Sequence, residues 1–554
     1  MYKPWLDNYP PGVSAEINES TLINLVDMVE DTFERHPEHT AYINMGHKLT
    51  FAELEVKSRH IASYLQHATT LNKGDRVAVM IPNLLQYPII LLGILRAGLI
   101  VVNVNPLYTP FELKHQLNDS GAKAIFIAEN FAHTLQSIIQ ETNIKHLVLT
   151  KIGDGLPFIK RRLVNFTVAH VKRMVPRFKL ANTCDYHRAL KIGAKGQYTR
   201  PMISINDIAF IQYTGGTTGV PKGVAMTHRN MASSLAQVEE TFGSCLTQGK
   251  ELLVTALPMY HAFALNINCF FFLKRGDSNL LIENPRDIDS FIDILSQYQF
   301  TSITGVNTLF NALLNHSKIG KVDFSLLKFT IAGGMPTQHK VAEDWKNITG
   351  NTIIEGYGLT ETTAIVSVNA YNLAKHTGAV GLPMPNTDVR LIDQNNFVVE
   401  DLNCVGEIQV KGPQVMTEYW NNPTETEAAF DQGWFKTGDI GLFDNDGLLR
   451  IVDRKKDMIL VSGFNVYPNE IEDTVLKLAG VYEAAVIGEK DKDGNEAVIL
   501  FVVINDLQVS IDKIKAHCRD YLTGYKQPKK IKIVNELPKN NVGKVLRRLL
   551  KEKP

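Results

Sequence analysis

The sequence predicts an α/β protein with a large N-terminal domain of stacked mixed or parallel sheets and a small α+β C-terminal domain. From about Leu22 to Arg390, helical patterns alternate with short strands rich in β-branched residues. This order is typical of mostly parallel sheets covered by helices. The pattern changes near Asp453, where a shorter run of strands and helices begins. The chain has 554 residues, 44% of them hydrophobic, which is enough for several domains with buried cores.

Short buried strands are expected in the large domain at residues 76–81, 124–127, 147–149 and 302–304. The most apolar tract, residues 88–104, is interrupted by Arg96, so neither uncharged part reaches the ~20 residues of a membrane span. A buried helix, a turn at Gly98 and a buried parallel strand explain this tract. Strands separated only by turns near residues 389–392 and 406–410 predict a small β-barrel-like subdomain or a distorted sheet.

The domain bounds follow from this change of pattern. The large domain is expected at residues 1–452, a linker at residues 453–457 and the small domain at residues 458–554. The small domain reads as strand 458–461, helix 468–478, strand, strand, helix, strand and helix. Pro468 suits the first turn of its helix, and Gly480 suits the stop.

Charge and cysteine content exclude several classes of function. Lys plus Arg and Asp plus Glu number 58 each, so no global charge indicates binding to nucleic acid. The five cysteines lie far apart and show no metal-ligand spacing. The polar start Met1-Tyr-Lys-Pro carries no signal peptide, which predicts a reduced, cytoplasmic location.

A glycine-rich segment at residues 208–223 is the strongest local indication of function. Apolar residues from Ile208 predict a strand, and a second strand is expected from Val224, so the loop between them joins two strands. Glycines let backbone N–H groups approach an anion, while threonine hydroxyls and a lysine add donors and charge. The loop donors are Thr214, Gly215, Gly216, Thr217, Thr218, Gly219 and Lys222. The order Pro221-Lys222-Gly223 differs from a Walker loop, and a plain glycine-rich hairpin is the alternative.

Two further loops carry side chains suited to a nucleotide. After a short apolar strand, Tyr357 offers a ring for stacking on a base, and Thr360 offers a hydroxyl. Glu361 offers an oxygen ligand of the kind that Mg²⁺ prefers. Asp439, at the end of the segment 433–439, is a residue type that accepts from both hydroxyls of a ribose, although an Asp at a turn also serves as an Asx cap.

In this order and at these separations, the segments resemble those of the adenylate-forming enzymes, which include acyl-CoA synthetases, luciferases and peptide-synthetase adenylation domains. The similar segments are residues 213–223 for the phosphate loop, 355–361 for the adenine and Mg²⁺ motif, 437–439 and 453–454 for the ribose contacts, and 541–544 for the catalytic lysine. Residues 433–456 also resemble the fatty acyl signature of bacterial long-chain fatty acid–CoA ligases.

The resemblance implies a two-step activity with a long-chain fatty acid, ATP, Mg²⁺ and CoA. The fatty carboxylate attacks the α-phosphorus of ATP, giving acyl-AMP and pyrophosphate, and the CoA thiol then displaces AMP. The resemblance assigns catalytic roles to Lys544, Glu361, Thr214 and His261, with Glu361 and Thr214 at the metal. It also implies that Lys456 is the hinge about which a mobile small domain rotates between the two steps.

Other substrate contacts follow from the same resemblance. The implied nucleotide contacts are residues 214–219 and Lys222, together with Gly333, Gly334, Glu355, Gly356, Tyr357, Gly358, Thr360, Asp439, Arg454 and Lys544. The implied fatty acid contacts, in an apolar tunnel, are His261, Phe263 and Asn307. From Lys513 to the end, thirteen Lys or Arg stand against three acids, which indicates either contact with CoA phosphates or a solvated basic face.

Three other functions share much of this pattern: an aryl acid ligase, a fatty acyl-AMP ligase that stops at the adenylate, and a nucleotide-binding sensor without catalysis. Residues 158–180 hold seven Lys or Arg and no acid among apolar residues. This composition suits either the surface of an anionic membrane or an ordinary surface helix and loop. Peripheral contact with the inner face of the membrane is therefore one of two open interpretations. A homodimer is also possible. The product would feed fatty acid degradation or lipid synthesis.

Overall fold

The computed structural model describes residues 3–214, 221–461, 464–490, 496–506, 508–539 and 543–551. Within these residues, helices alternate with strands through a large N-terminal part, and a smaller unit of strands and helices follows. This architecture confirms the predicted fold class. The predicted contacts Gly215, Gly216, Thr217, Thr218 and Gly219 lie outside the described residues.

The strands of the N-terminal part are β1 (Thr40–Asn44), β2 (His47–Thr50), β3 (Arg76–Met80), β4 (Ile100–Asn103), β5 (Ala124–Ala128), β6 (His146–Thr150), β7 (Thr183–Asp185), β8 (Ile208–Tyr213), β9 (Gly223–Thr227), β10 (Leu252–Thr255), β11 (Ser278–Leu281), β12 (Ser302–Gly305), β13 (Phe329–Gly333), β14 (Ile353–Tyr357), β15 (Ser367–Val368), β16 (Leu382–Pro383), β17 (Asp388–Ile392), β18 (Gly406–Lys411), β19 (Glu418–Tyr419), β20 (Phe430–Asp431), β21 (Trp434–Phe443) and β22 (Leu449–Arg454). The helices are α1 (Leu25–Arg35), α2 (Phe51–His67), α3 (Gln86–Arg96), α4 (Pro110–Ser120), α5 (Ala132–Gln136), α6 (Phe158–Phe166), α7 (Tyr186–Gly193), α8 (His228–Phe242), α9 (Ala262–Ala264), α10 (Phe272–Lys274), α11 (Ile288–Leu295), α12 (Asn307–Leu314), α13 (His339–Thr349) and α14 (Pro423–Ala429).

Two large sheets form the body of this part. The first has the strand order β16-β15-β14-β13-β12-β10-β11-β1-β2, and the second has the order β19-β9-β8-β4-β3-β5-β6-β7. Inner neighbours pair in parallel, as β13 with β14 and β3 with β4, whereas β2 and β9 pair antiparallel near the ends. One hydrophobic core takes side chains from both sheets and from α1, α2, α3 and α8, so helices join the two sheets.

The apolar tract at residues 88–104 folds as the sequence predicts. Every residue of α3 is buried, Gly98 takes a left-handed φ of 74° in the turn, and β4 then pairs in parallel with β3 and β8. Among the described residues, no helix has both the length and the apolar character that crossing a membrane requires.

A third sheet is antiparallel and has the order β17-β18-β21-β20, with β22 paired to β21. Register shifts interrupt the pairings of β18 with β21 and of β21 with β22. Of the two predicted forms, this is the distorted sheet. Its register sets Asp439 directly opposite Arg454.

The C-terminal elements are β23 (Ile459–Val461), β24 (Phe464–Val466), α15 (Pro468–Leu476), β25 (Val481–Lys490), β26 (Glu496–Ile504), α16 (Ile511–Tyr521), β27 (Lys530–Ile533) and α17 (Arg547–Lys551). Their order matches the sequence expectation except for β24, whose three residues are too short to show a pattern. Helix α15 begins at Pro468 as predicted and ends two residues before Leu478. This unit buries its own apolar side chains, separately from the cores of the N-terminal part.

Candidate functional site

The candidate site is built where strands of the N-terminal part end. Gly333 at the end of β13 lies beside Gly356 of the neighbouring parallel strand β14, so the loops after both strands start at one edge of the sheet. The loop after β14 needs glycine at residue 358, because a Cβ there would lie 2.0 Å from the Ala364 carbonyl oxygen. Gly334 has a φ of 80°, which also favours glycine.

Tyr357, Asp439 and Arg454 form one group around the buried carboxylate of Asp439, although the Arg454 side chain is 33% exposed. The Tyr357 hydroxyl donates to Asp439 Oδ2 at 2.7 Å, and Arg454 Nε lies 3.0 Å from Asp439 Oδ1. Asp439 is only 2% exposed. Burial raises the pKa of Tyr357 well above its usual value, so the phenol stays a neutral donor. The structure thus brings together three residues that lie up to 97 positions apart in the sequence (357 and 454).

Glu355, by contrast, directs its carboxylate to neighbouring loops. It accepts a hydrogen bond from the Thr337 backbone N–H at 2.7 Å, and His376 Nε2 lies 2.6 Å from its other oxygen. Both side chains of the pair are 6% exposed. Glu355 therefore fixes the loops around β14, and its contact with a nucleotide stays a prediction.

The predicted phosphate side contains Lys222 and Glu361, with Tyr419 between them. Strand β8 and strand β9 form the predicted hairpin, and the Thr214 N–H donates to the Lys222 carbonyl at 3.0 Å across the base of the loop. The Tyr419 hydroxyl donates to Glu361 Oε1 at 2.9 Å, and Lys222 Nζ lies 4.5 Å from the centre of the Tyr419 ring. Burial raises the pKa of Glu361, while the charge of Lys222 acts in the opposite direction.

A metal ion at this position would be coordinated by few protein ligands. No group of three or more His, Cys, Asp or Glu residues suited to a metal occurs in the described ranges. Mg²⁺ is commonly held by one or two carboxylates together with substrate phosphates, so Glu361 beside Lys222 fits such an ion. The hydroxyl of Thr360 lies in the short helical turn Thr360–Thr362 that carries Glu361.

Lys544 of the C-terminal unit lies within electrostatic reach of Asp439 and Arg454. The pKa of Lys544 is lowered to about 8, mainly by burial and then by the positive charge of Arg454, while the charge of Asp439 acts in the opposite direction. Gly543 packs on α12, since a Cβ at this residue would lie 2.7 Å from Thr308 Oγ1. Burial also lowers the pKa of Lys456, which lies in the turn between β22 and β23.

Arg547 anchors the segment that carries Lys544. Its guanidinium lies 2.8 Å from Glu472 Oε1, 2.9 Å from Asn469 Oδ1 and 3.3 Å from Asp457 Oδ2. The Asn469 N–H in turn donates to Asp453 at 2.8 Å, which ties α15 to the end of β22. These contacts were not predicted, because no local pattern pairs an arginine with an acid 75 residues away.

The predicted fatty acid residues border the same sheet edge. Phe263 packs on Gly333, where a Cβ would lie 3.1 Å from its ring. His261 is reached by solvent but has protein around most of its ring, and this desolvation lowers its pKa. Asn307 Oδ1 accepts from the Gln338 N–H at 2.9 Å, so Asn307 holds the loop that follows β13.

Comparisons with known proteins agree with this arrangement. A sequence model of the AMP-binding enzyme family matches residues 29–420, and a model of the AMP-binding enzyme C-terminal domain matches residues 470–544. The long-chain-fatty-acid–CoA ligase of Salmonella typhimurium is 53% identical over 100% of this chain and 98% of its own. The ligase of the same name from Haemophilus influenzae is 50% identical with the same coverage.

A solved structure has the same fold. The crystal structure of ATP-bound MatB from Rhodopseudomonas palustris matches with a TM-score of 0.81 and 27% identity, over 96% of this chain and 99% of that one. The resemblance seen in the motifs is thereby confirmed, and the chain belongs to the AMP-binding enzyme family.

Proposed function

We propose that this protein is a long-chain fatty acid–CoA ligase. The observation that carries the proposal is that Lys544 lies within electrostatic reach of Asp439 and Arg454, which places an ammonium near the carboxylate that the proposal assigns to the ribose. The full-length relatives named long-chain-fatty-acid–CoA ligase support the choice of acid and thiol.

The first half-reaction brings two anions together. A carboxylate oxygen of the fatty acid forms a bond to the α-phosphorus of ATP, and the bond from that phosphorus to the bridging oxygen breaks, releasing pyrophosphate. Lys544 and Lys222 offset the negative charge that repels the attacking carboxylate. In the second half-reaction the CoA thiolate attacks the acyl carbon, and AMP leaves.

The remaining assignments are part of the same proposal. Asp439 and Arg454 hold the ribose, Tyr357 stacks on adenine, and His261, Phe263 and Asn307 border the acyl site. Glu361 and Thr214 would hold Mg²⁺, which when bound would neutralise phosphate charge. Residues 458–554 then rotate about Lys456 in the linker 453–457 against residues 1–452, which removes Lys544 before the thiol enters.

The test is acyl-CoA formation from butyrate, octanoate, palmitate, oleate and ferulate with ATP and CoA. A long-chain ligase uses palmitate or oleate with the highest kcat/KM and releases AMP only as acyl-CoA forms. Preference for ferulate would indicate an aryl acid ligase, and build-up of acyl-AMP with CoA present would indicate an acyl-AMP ligase. Binding of ATP without turnover of any acid would indicate a sensor.

We also propose that residues 158–180 contact the inner face of the membrane. Helix α6 and the π-helical turn Thr167–Val171 that follows expose five apolar side chains (Phe158, Ile159, Leu163, Phe166 and Val171), and Met174 just beyond them is also exposed. Seven basic residues lie in the same segment. Such a surface favours anionic lipid headgroups over water.

Sedimentation with vesicles of phosphatidylglycerol tests this surface. Ile159→Ser should reduce the bound fraction, whereas Met202→Ser, which removes a side chain that is 90% exposed outside the segment, should not. Equal binding by both variants would exclude the segment.

A further inference from the structure

Helix α14 brings an acid to the lysine of the glycine-rich loop. Glu425 Oε2 lies 2.7 Å from Lys222 Nζ, although the two residues are 203 positions apart. The Lys222 side chain is 34% exposed and that of Glu425 is 50% exposed, so solvent and solutes reach the pair. Among the described residues, Glu425 thus forms an ion pair with the Lys222 ammonium, the group that the proposed function assigns to the phosphates of ATP.

The local fold holds Glu425 in this place. Strand β19 pairs with β9, setting Tyr419 opposite Val224 just after Lys222. Helix α14 then begins, with the Asn422 side chain accepting from the Glu425 backbone N–H at 3.1 Å. The Thr426 hydroxyl accepts from the Tyr419 N–H at 3.0 Å, which fixes the short helix to the strand. Glu425 therefore has a defined position relative to the loop.

We propose that Glu425 competes with the phosphates of ATP for Lys222 and thereby sets the affinity for ATP. This inference rests on the proposed function, because it takes Lys222 as a phosphate contact. ATP must separate the ion pair before its phosphates gain the ammonium. The Tyr419 ring lies next to Lys222, with its centre 4.5 Å from Nζ, and its hydroxyl donates to Glu361.

The effect is modest in size because the pair is exposed. Ion pairs in such surroundings change an equilibrium by up to about fivefold. We expect Glu425→Gln, which removes the charge and keeps the shape, to lower the Kd for ATP about threefold. Salt screens exposed charges, so the difference from wild type should shrink as ionic strength rises.

Titration calorimetry with ATP and Mg²⁺, without fatty acid, measures this affinity. Glu427→Gln is the matched control, since it makes the same charge change on an exposed residue of the same helix. We expect the Kd of the control to stay within error of wild type. An unchanged or raised Kd in Glu425→Gln would overturn the proposal, as would an equal decrease in both variants.

A double substitution tests whether the effect passes through Lys222. Glu425→Gln in a Lys222→Ala background should leave the Kd for ATP where Lys222→Ala alone sets it, because the competed ammonium is gone. A threefold decrease in that background would also overturn the proposal. Acyl-CoA formation by wild type is measured separately, so failure of the ligase activity is distinguished from failure of the competition.

Discussion

The predicted ribose side and the predicted phosphate side of the candidate site differ in the burial of their acidic residue. On the ribose side, Asp439 is 2% exposed and both of its oxygens are already held, by Tyr357 and Arg454. On the predicted phosphate side, Glu425 is 50% exposed, so the two sides differ in the burial of the acid, while the cations Arg454 and Lys222 are exposed alike, at 33% and 34%. A buried group is rigid and costly to disturb, whereas an exposed ion pair exchanges partners easily. On the proposed assignment, the ribose would bind at a buried carboxylate held by two side chains, and the phosphates would bind at an exposed ion pair that can exchange partners.

The largest expected effect is at Lys544, which the proposed function places at the reacting phosphate between the two sides. Lys544→Ala should slow acyl-AMP formation by about 10²–10³-fold, because a charge aimed at the reacting phosphate is lost. Acyl-CoA formation from supplied acyl-AMP should stay near normal. Each half-reaction is measured separately, with Lys551→Ala, an exposed lysine of α17, as the control. Equal losses in both half-reactions would contradict the assignment.

A second substitution tests whether the small domain must rotate between the two half-reactions. Proline fixes φ and restricts the residue before it, so Lys456→Pro should hold Lys544 at the nucleotide. Thioester formation should then fall about hundredfold while adenylation is largely kept. Lys456→Ala, which leaves the backbone free, should keep both rates. Normal thioester formation by a folded Lys456→Pro protein would place the pivot elsewhere.

A third substitution removes the buried negative charge of the predicted ribose side. Asp439→Asn removes a charged acceptor from Tyr357 and Arg454 and should raise the Kd for ATP by about tenfold to hundredfold. The exposed Asp446 supplies the control Asp446→Asn in the same sheet region. Calorimetry compares these values with the threefold change expected at Glu425. If Asp439→Asn changed the Kd no more than Glu425→Gln, the contrast between the two sides would fail.

A pH profile gives the smallest of these four expected changes. The pKa of Lys544 is lowered to about 8, and only its ammonium form assists adenylation. The kcat/KM for ATP in acyl-AMP formation should therefore fall as pH rises through about 8, approaching tenfold per pH unit. Lys544→Arg stays charged over this range and should lack the fall. An unchanged fall in that variant would assign the titration to another group.

The fold and the motifs were predictable because both depend on local pattern. Alternating apolar segments gave α3 and β4 with a turn at Gly98, and the polar loop after β8 was correctly expected to join two strands. The meeting of Tyr357 with Asp439 followed only from resemblance to a family, since 82 residues separate them.

Glu425, Tyr419 and Arg547 were missed for the same reason. Each acts through a side-chain contact between distant segments, and nothing near it in the sequence marks it as part of a site. In the structure, Asn422 caps α14 and Pro423 lies in its first turn, residue types that favour the start of a helix, but no prediction was made from them. Only the pairing of β19 with β9 shows that this turn faces Lys222.

Gly543 packs so closely on α12 that a side chain at this residue would collide with Thr308 in the observed arrangement. Residue 543 has a φ of 83°, and the space beside it ends at Thr308. A methyl group there would strain the backbone and press on α12 while leaving every charge of the site in place. On the proposed mechanism, the approach of Lys544 to the nucleotide would thus depend on the absence of a side chain one residue earlier. Gly543→Ala would therefore impair acyl-AMP formation through its shape alone and leave thioester formation from supplied acyl-AMP unchanged.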